Sequence, residues 1–183
     1  MKITIINGNH TDNKYRFDKK LGTLEEKLCA AGHDVTLFRL KEMQIKSCTG
    51  CWGCWVKTPG ECIIPDDTVQ IRQSYIQSGM VVFASPVSMG FTSSLMKMVQ
   101  DKLIPLLHPY IEIDHHECHH KKRYAKYPII GLLYEKTNGT DNEDIDIITT
   151  IHKRFALNFK TKLAFSLPIN DTLDTIVDEI NRN

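Results

Sequence analysis

Short apolar runs alternate with amphipathic stretches along this chain, a pattern typical of an α/β fold. Residues 3–6 form an apolar run that ends at Asn7-Gly8-Asn9, which predicts a first strand followed by a loop. The next stretch repeats its apolar residues at the period of one helical face: Phe17, Leu21, Leu24 and Leu28. The first strand is therefore predicted to be followed by an amphipathic helix.

The rest of the chain continues this alternation. Residues 80–84 are apolar without alternation, as expected of a central strand covered on both faces. Residues 35–38, 128–134 and 163–167 predict three further strands, and residues 173–180 predict a last helix. Asp66 and Asp67 are candidate helix caps, and Thr140 with Glu143 has the spacing of a capping box. The polar stretch 110–127 predicts irregular structure.

Five strands that alternate with helices imply a parallel sheet with helices on both faces. Right-handed crossovers leave few topologies, of which the flavodoxin-like strand order 2-1-3-4-5 is one. We predict this order in an α/β three-layer sandwich formed by residues 1–183 as one domain. Ligands of such folds bind at the carboxyl ends of the strands, near the switch point between strands 1 and 3. Loops 8–16, 85–92 and 134–140 are expected to meet there.

Composition narrows the classes of function. The chain has 183 residues, of which 42% are hydrophobic and 25% charged, as in soluble globular proteins. Its net charge of +1 gives no long-range attraction to nucleic acid or to anionic membranes, and no apolar run is long enough to span a bilayer. The start, MKITIING, lacks the layout of a signal peptide. We therefore predict a cytoplasmic protein with reduced thiols.

The first loop contains neither a dinucleotide fingerprint nor a Walker motif. It does place amide and hydroxyl donors, Asn9, Thr11 and Asn13, directly before a predicted helix. The N–H groups and the dipole of a helix start suit a phosphate dianion. The alternative is an ordinary polar loop between a strand and a helix.

The second loop, from Ser85 to Thr92, carries Pro86 near its start and Gly90 near its end. Its backbone N–H and C=O groups, with Met89 and Phe91 beside them, could hydrogen-bond a heteroaromatic ring and cover one of its faces. The alternative is a loop that simply closes onto the following helix.

Four of the six cysteines fall within residues 48–62: Cys48, Cys51, Cys54 and Cys62. Three interpretations compete. Four thiolates around a tight turn can bind a [4Fe–4S] cluster. The same four could bind Zn²⁺, although zinc sites usually separate two Cys-x2-Cys pairs. The thiols could also be free, or form a transient redox disulfide.

Several short motifs follow one another along residues 1 to about 135: Ile6-Asn7-Gly8, the Cys48-x2-Cys51-x2-Cys54-x7-Cys62 run with Asp66-Asp67, Ser85-Pro86-Val87, Ser93-Ser94-Leu95-Met96-Lys97 and Asp101-Lys102. Taken together, they resemble the flavodoxin-like NAD(P)H-dependent FMN reductases, in the branch with a compact cysteine motif that includes the iron–sulfur flavoproteins. The chain departs from the family's usual pattern in its first loop, at Ser88, where an aromatic residue is common, and at Lys102, where arginine is usual.

The resemblance implies bound FMN, reduced by NAD(P)H in a two-electron step, and members with this motif occur with and without a cluster. It places the FMN phosphate against residues of the first loop and helix start: Asn9, Thr11, Asn13, Lys14 and Tyr15. It places the flavin ring against residues of the second loop: Ser85, Pro86, Val87, Ser88, Met89, Gly90 and Phe91. No catalytic side chain is expected, because the flavin carries the chemistry.

Three hypotheses follow. The first is an FMN-dependent NAD(P)H oxidoreductase that transfers electrons to a small acceptor such as a quinone, acting as a homodimer or homotetramer without nucleic-acid or membrane partners. The second is an iron–sulfur flavoprotein that passes single electrons between FMN and a [4Fe–4S] cluster. The third is a flavodoxin-like binding or regulatory module without catalysis.

Overall fold

The computed structural model describes residues 1–10, 15–114, 116–170 and 172–183. Its strands are β1 (Lys2–Asn7), β2 (Asp34–Arg39), β3 (Met80–Pro86), β4 (Leu107–Asp114), β5 (Glu117–Lys122), β6 (Ile129–Glu135) and β7 (Leu163–Pro168). Its helices are α1 (Tyr15–Ala30), α2 (Gly53–Val56), α3 (Thr68–Gln77), α4 (Ser94–Asp101), α5 (Asn142–Asn158) and α6 (Leu173–Asn181). Among these described helices, none is both long enough and apolar enough to cross a bilayer.

Five strands form a parallel sheet in the order β2-β1-β3-β6-β7. This is the predicted order 2-1-3-4-5, with the β4–β5 pair inserted between the third and fourth strands of the sheet. Central strand β3 is buried along its whole length, as its uninterrupted apolar run predicts. The predicted fold class is confirmed.

The sheet has a separate apolar core on each face, which makes the domain a three-layer sandwich. One core joins side chains from α1 and α6 to one face of β1 and β3, for example Leu21, Ile176 and Val82. The other joins side chains from α3, α4 and α5 to the opposite face, for example Ile71, Val99 and Phe83. Alternate residues of β3 thus enter different cores, as the period of two along a strand requires.

The prediction of irregular structure for residues 110–127 is wrong for most of that stretch, because β4 and β5 form an antiparallel hairpin. Ion pairs attach the hairpin to the end of α5, and Leu107 at the start of β4 joins the apolar core. Arg154 pairs with Glu117 at 2.6 Å, and Lys160 pairs with Glu112 at 3.1 Å and with Asp114 at 3.0 Å. Strand β5 reads Glu-Cys-His-His-Lys-Lys, so it lacks the apolar alternation that marks a strand.

Helix starts follow the predicted chemistry with small shifts in position. Asp66 accepts a hydrogen bond from the Thr68 backbone N–H at 3.1 Å, at the start of α3. The capping box of α5 is formed by Asp141 and Asp144, one residue later than the predicted Thr140 and Glu143. The aspartate side chain accepts hydrogen bonds from the N–H groups of a helix start as well as threonine does, which is why Asp141 can cap α5 in place of Thr140.

Close packing between β6 and β7 gives a first prediction. A Cβ added at Gly131 would lie 2.3 Å from Cζ of Phe165, whereas one added at Gly22 in α1 would meet nothing within 4 Å. We expect Gly131→Ala to lower the free energy of unfolding by about 1–3 kcal/mol because the core is overpacked. Gly22→Ala, the matched control, should raise it by about 0.5–1 kcal/mol because the unfolded chain loses freedom. Urea unfolding measures both, and equal effects would contradict the packing of Phe165 over Gly131.

Buried His152 gives a second prediction. Its Nδ1 donates to the Ile148 carbonyl at 2.8 Å, and its Nε2 accepts from Gln100 at 3.0 Å. Burial lowers the pKa of His152 below its ordinary value, and the hydrogen bond to Ile148 opposes this only in part. Below about pH 6.5 the unfolded chain therefore binds a proton that the native protein does not.

The contribution of neutral His152 to the free energy of unfolding is thus fully present above about pH 6.5. It falls as the pH drops from there toward the native pKa, by at most about 1.4 kcal/mol per pH unit. His152→Gln should remove this slope, measured as the free energy of unfolding between pH 7.5 and 5.5. His10→Gln, at an exposed site, should keep it. A wild-type slope that survives in the His152 variant would contradict the assignment.

Candidate functional site

The carboxyl ends of β1, β3 and β6 lie side by side, as the topology predicts. Asn7 pairs in register with Ala84, and Pro86 pairs with Glu135. The first loop leaves β1 through a hydrogen bond from the Gly8 N–H to the Ala84 carbonyl at 2.8 Å. The loops that follow these three strands therefore start within one small region of the sheet edge.

Gly8 lets the first loop approach the start of α4 closely. A Cβ at this position would lie 2.9 Å from Oγ of Ser93 and 3.0 Å from Cε of Met96. Any side chain here would push the first loop away from α4. The Gly8 of the Ile6-Asn7-Gly8 motif thus keeps two of the three predicted loops in contact.

Asp18 organises the base of the first loop. Its carboxylate accepts hydrogen bonds from the side-chain amides of Asn7 at 2.7 Å and Asn9 at 3.1 Å, and it pairs with the Lys41 ammonium. Burial alone would raise the pKa of Asp18, but the contacts with Lys41, Asn7 and Asn9 outweigh burial and lower it. Asn9, a predicted phosphate ligand, therefore has its amide group directed to Asp18.

The other predicted phosphate ligands are outside the described part of the chain. Thr11, Asn13 and Lys14 belong to residues 11–14, and the side chain of Tyr15 is likewise not described. Helix α1 begins at Tyr15, so the first loop does lead into a helix start, as predicted. The assignment of these residues to a phosphate stays a prediction.

The second loop begins with buried residues that hold its shape. Ser85 is fully buried, and its Oγ donates to the Pro86 carbonyl at 2.9 Å and accepts from the Ser93 N–H at 2.9 Å. Val87 is buried as well, and its carbonyl accepts from Oγ1 of Thr137 at 2.7 Å. Ser85, Pro86 and Val87 thus support the loop and link it to α4 and to the third loop.

The tip of the second loop is a tight turn with an exposed apolar end. The backbones of Ser88 and Phe91 exchange two hydrogen bonds, of 2.8 and 3.0 Å, and Met89 and Gly90 between them have φ of 51° and 78°. Two successive positive φ values define a type I′ turn, which non-glycine residues adopt at an energetic cost. Met89 is 95% exposed and Phe91 56% exposed. A strained turn that presents two apolar side chains at a ligand-binding edge is a candidate contact for a flat ring.

The four cysteines of the motif line one cavity of about 690 Å³, together with residues of the second halves of α4 and α5. The wall is mainly apolar, with Trp52, Trp55 and Phe155 among its residues. None of the described residues that line it belongs to the first or second loop, so the cysteine cavity is a second candidate site.

The ends of the cysteine segment are clamped together. The Asp67 N–H donates to the Gln44 carbonyl at 3.0 Å, and the Gln44 N–H donates to the Asp67 carboxylate at 2.7 Å. The Lys46 N–H donates to Asp66 at 3.0 Å. The predicted caps of α3 therefore have a second role, which is to close the cysteine segment at its base.

The segment itself is shaped by backbone turns and one tryptophan. Trp52 has φ of 60° just before α2, and the Gly60 N–H donates to the Cys54 carbonyl at 3.0 Å, which turns the chain back toward Cys54 before Cys62. The indole N–H of Trp55 donates to the Leu107 carbonyl at 3.0 Å. The segment is thus fixed to the first residue of the β4–β5 hairpin.

The electrostatics of the cysteines show that they form one group. Burial raises the pKa of Cys54, and the neighbouring Cys62, Cys48 and Cys51 raise it further. The backbone at Gly53 and the Thr49 side chain lower the pKa of Cys51. Cys54 is therefore close enough to the other three thiols for their charges to act on it.

Lys102 lies at the base of this group, and sequence reasoning noted it only as a departure from arginine. Its side chain is 1% exposed and its Nζ lies 3.0 Å from Oδ2 of Asp66 and 3.1 Å from Sγ of Cys62. Burial would lower the pKa of Lys102, but Cys62 and Asp66 outweigh it and raise the pKa. Buried lysine in a cysteine-rich cavity is a signal that only the folded structure reveals.

The four cysteines offer the kind of ligand that an iron–sulfur cluster uses. A tetrahedral zinc site needs four sulfurs about 2.3 Å from one point. In the part of the chain that the structure describes, no three His, Cys, Asp or Glu residues gather around such a point. A cubane cluster gives each cysteine its own iron. Four thiols that line one cavity supply the number and kind of donors that such a cluster needs.

Comparison with known proteins agrees with this architecture. The model of the family described as NADPH-dependent FMN reductase matches residues 1–125. Two iron–sulfur flavoproteins of Archaeoglobus fulgidus are 26% identical over 102 residues and 31% identical over 90 residues, which are 56% and 49% of this chain. These matches cover 48% and 40% of the two relatives, so the chain aligns with less than half of their length.

Among solved structures, the NAD(P)H:quinone oxidoreductase from Methanothermobacter marburgensis superposes with a TM-score of 0.65. The superposition covers 99% of this chain and 93% of that one, at 14% identity. At this identity the likeness establishes the fold, which is flavodoxin-like.

Proposed function

Because the chain belongs to the NADPH-dependent FMN reductase family, we propose that it is an FMN-dependent NAD(P)H oxidoreductase that transfers electrons to a small acceptor such as a quinone. One observation carries this proposal: the loops after β1, β3 and β6 start side by side, with a strained apolar turn among them. Open α/β sheets bind their ligands at this position.

Each loop has a distinct part in the proposed site. The phosphate is assigned to the first loop and the start of α1, through Asn9, Thr11, Asn13, Lys14 and Tyr15. The ring is assigned to the tip of the second loop, where the Met89-Gly90 turn offers backbone groups and the side chains of Met89 and Phe91 offer apolar surface. Bound FMN would supply the hydride chemistry, and these residues would bind and orient it.

Buried and half-buried residues support the loops that would contact the ligand. Ser85 holds the second loop against α4, Thr137 holds it against the third loop, and Asp18 fixes the side chains of Asn7 and Asn9. Loops that are already ordered lose less conformational entropy when the ligand binds. We therefore assign Ser85 and Asn9 to the support of the site as well as to its lining.

A second candidate function, that of an iron–sulfur flavoprotein, is favoured by the shared cavity of the four cysteines. Cys48, Cys51, Cys54 and Cys62 would hold a [4Fe–4S] cluster, which would supply single-electron transfer. Helix α4 connects the two candidate sites: Ser93 at its start bonds Ser85 of the second loop, and Lys97, Gln100 and Asp101 line the cysteine cavity. A cluster there would pass electrons singly, whereas hydride chemistry would stay with the flavin.

The proposal extends to the organisation of the protein. We infer that residues 1–183 act as one domain that assembles into a homodimer or homotetramer in the cytoplasm. Support for assembly comes from exposed apolar side chains of the hairpin, Tyr110, Ile111 and Ile113, and of the cysteine segment, Trp52 and Val56. Clusters of exposed apolar residues commonly mark protein contacts.

Flavin binding gives a third prediction. We expect the wild-type protein to bind FMN and to oxidise NAD(P)H in the presence of a quinone. Phe91→Ala should weaken FMN binding about 2- to 12-fold, since an aromatic contact contributes about 0.5–1.5 kcal/mol. Tyr110→Ala, which removes an exposed aromatic ring from the distant hairpin, is the matched control and should bind FMN as the wild type does.

Titration of FMN fluorescence measures these affinities, and absorbance at 340 nm follows the turnover of NAD(P)H. A wild-type protein that fails to bind FMN would contradict the oxidoreductase proposal and favour a non-catalytic module. Equal affinities of the Phe91 and Tyr110 variants would contradict only the position assigned to the ring.

The cysteine cavity gives a fourth prediction. Protein reconstituted with iron and sulfide without oxygen should contain about four irons and four sulfides per chain, as a cubane requires. Cys54→Ser should lose most of the iron, because it removes the ligand at the centre of the group. Cys118→Ser, at an exposed cysteine outside the motif, should retain the wild-type iron content. Zinc uptake at one ion per chain, or iron loss in neither variant, would contradict the cluster.

A further inference from the structure

Lys102 is a buried cation that reaches from the core of the domain into the cysteine group. Its Nζ has three acceptors: Oδ2 of Asp66 at 3.0 Å, Sγ of Cys62 at 3.1 Å and the carbonyl of Ile64 at 3.4 Å. An ammonium has three N–H donors, so each has one partner. A buried lysine is tolerated only when it is paired and hydrogen-bonded in this way.

Asp66 is fixed, which in turn fixes the ammonium. Its Oδ1 accepts the N–H and the hydroxyl of Thr68, and its Oδ2 accepts the Lys46 N–H. Arg72 donates to the same Thr68 hydroxyl at 2.8 Å. The Asp66 carboxylate therefore cannot bind Lys102 through both of its oxygens. One N–H of the Lys102 ammonium is left to donate to Sγ of Cys62.

The contact with sulfur singles out one of the four cysteines. Cys48 and Cys51 are exposed, whereas Cys62 is half-buried and lies against the ammonium. Among the described residues, Lys102 is the cation that donates to a sulfur of the motif. Asp101, the neighbour of Lys102 in sequence, forms an ion pair with Lys97 on the exposed face of α4.

We propose that Lys102 is a positioning residue that sets the reduction potential of a [4Fe–4S] cluster through its N–H···S bond to Cys62. The inference rests on the iron–sulfur candidate of the proposed function. Reduction adds one electron, which increases the negative charge on the cysteine sulfurs. A fixed cation with a hydrogen bond to one sulfur stabilises that added charge, so it favours the reduced form.

The geometry also allows a second role, in which Lys102 only braces the segment against α4. The two roles differ in what they change. A brace affects whether the cluster assembles and survives, whereas a tuning cation shifts the balance between oxidised and reduced cluster in protein that is fully assembled. The potential of the assembled cluster is therefore the deciding measurement.

The experiment uses the protein of residues 1–183, reconstituted without oxygen, with iron and sulfide counted per chain. Reduction is titrated with dithionite and redox mediators and followed by the EPR signal of the reduced cluster. Lys102→Met keeps the length of the side chain and removes the charge and the hydrogen bond. Lys102→Arg keeps the charge. Lys97→Met is the matched control, because it removes an exposed lysine from the same helix beside the same cavity.

We expect Lys102→Met to shift the equilibrium toward the oxidised cluster by about tenfold, which for one electron is about 59 mV. Lys102→Arg should lie within about threefold of the wild type, and Lys97→Met within about twofold. Should Lys102→Met not fold, Asp66→Asn with Lys102→Met removes the ion pair as a unit and leaves no buried charge alone. This double variant lacks the N–H···S bond, and a shift of threefold or more toward the oxidised form would support the proposal.

Three results would overturn the inference. Equal potentials in the Lys102→Met and Lys97→Met proteins would show that the buried cation does not tune the cluster. A double variant that assembles fully with the wild-type potential would show that Lys102 is only a brace. A wild-type protein without iron would end this inference together with the cluster candidate, while its flavin absorbance would report separately on the reductase proposal.

Discussion

The buried ion pair between Lys102 and Asp66 connects the scaffold of this protein to its cysteine segment. Lys102 follows the last residue of α4, and Asp66 lies at the start of α3, so the pair holds two helices of one sheet face together. The same Asp66 closes the base of the cysteine segment through the Lys46 N–H, and the same Lys102 reaches Cys62. Because a buried charge without its partner is strongly unfavourable, neither residue can move without the other. The position of the cysteines is thereby tied to the core.

Helix α4 links the two candidate sites. At its start, Ser93 caps the helix and donates its N–H to Oγ of Ser85 in the second loop, and just past its end Lys102 contacts Cys62. A short helix with both ends anchored ties the position of the second loop to that of the cysteine segment. In the proposed function, a flavin at the sheet edge would carry two-electron chemistry and a cluster at the cysteines would carry single electrons.

The sequence reveals those parts of the fold that depend on apolar burial. The apolar stripe from Phe17 to Leu28 predicted α1, and the apolar run of β3 predicted a central strand, because a helix and a strand bury side chains at different periods. The β4–β5 hairpin escaped prediction because its second strand, Glu117–Lys122, is polar along its length. Asp18 and Lys102 were missed as organisers of the two sites for a related reason. Their partners lie far along the chain, and Lys102 faces inward while Asp101, beside it in sequence, faces outward.

The cysteine segment is also where the structure depends most on polar contacts. Residues 44–67 contain one short helix and several turns, and ordering such a chain costs about 1–2 kcal/mol per residue in backbone entropy. Few of its side chains are buried, so apolar burial offsets little of that cost. The clamp at Gln44 and Asp67, the Trp55 indole and the Lys102 contact supply most of the remaining restraint. A group bound by the four thiols would add its binding free energy to the stability of this segment. The order of the segment and the occupancy of the cysteines are therefore coupled, and Lys102, which contacts both the core and Cys62, is the residue through which that coupling reaches the rest of the domain.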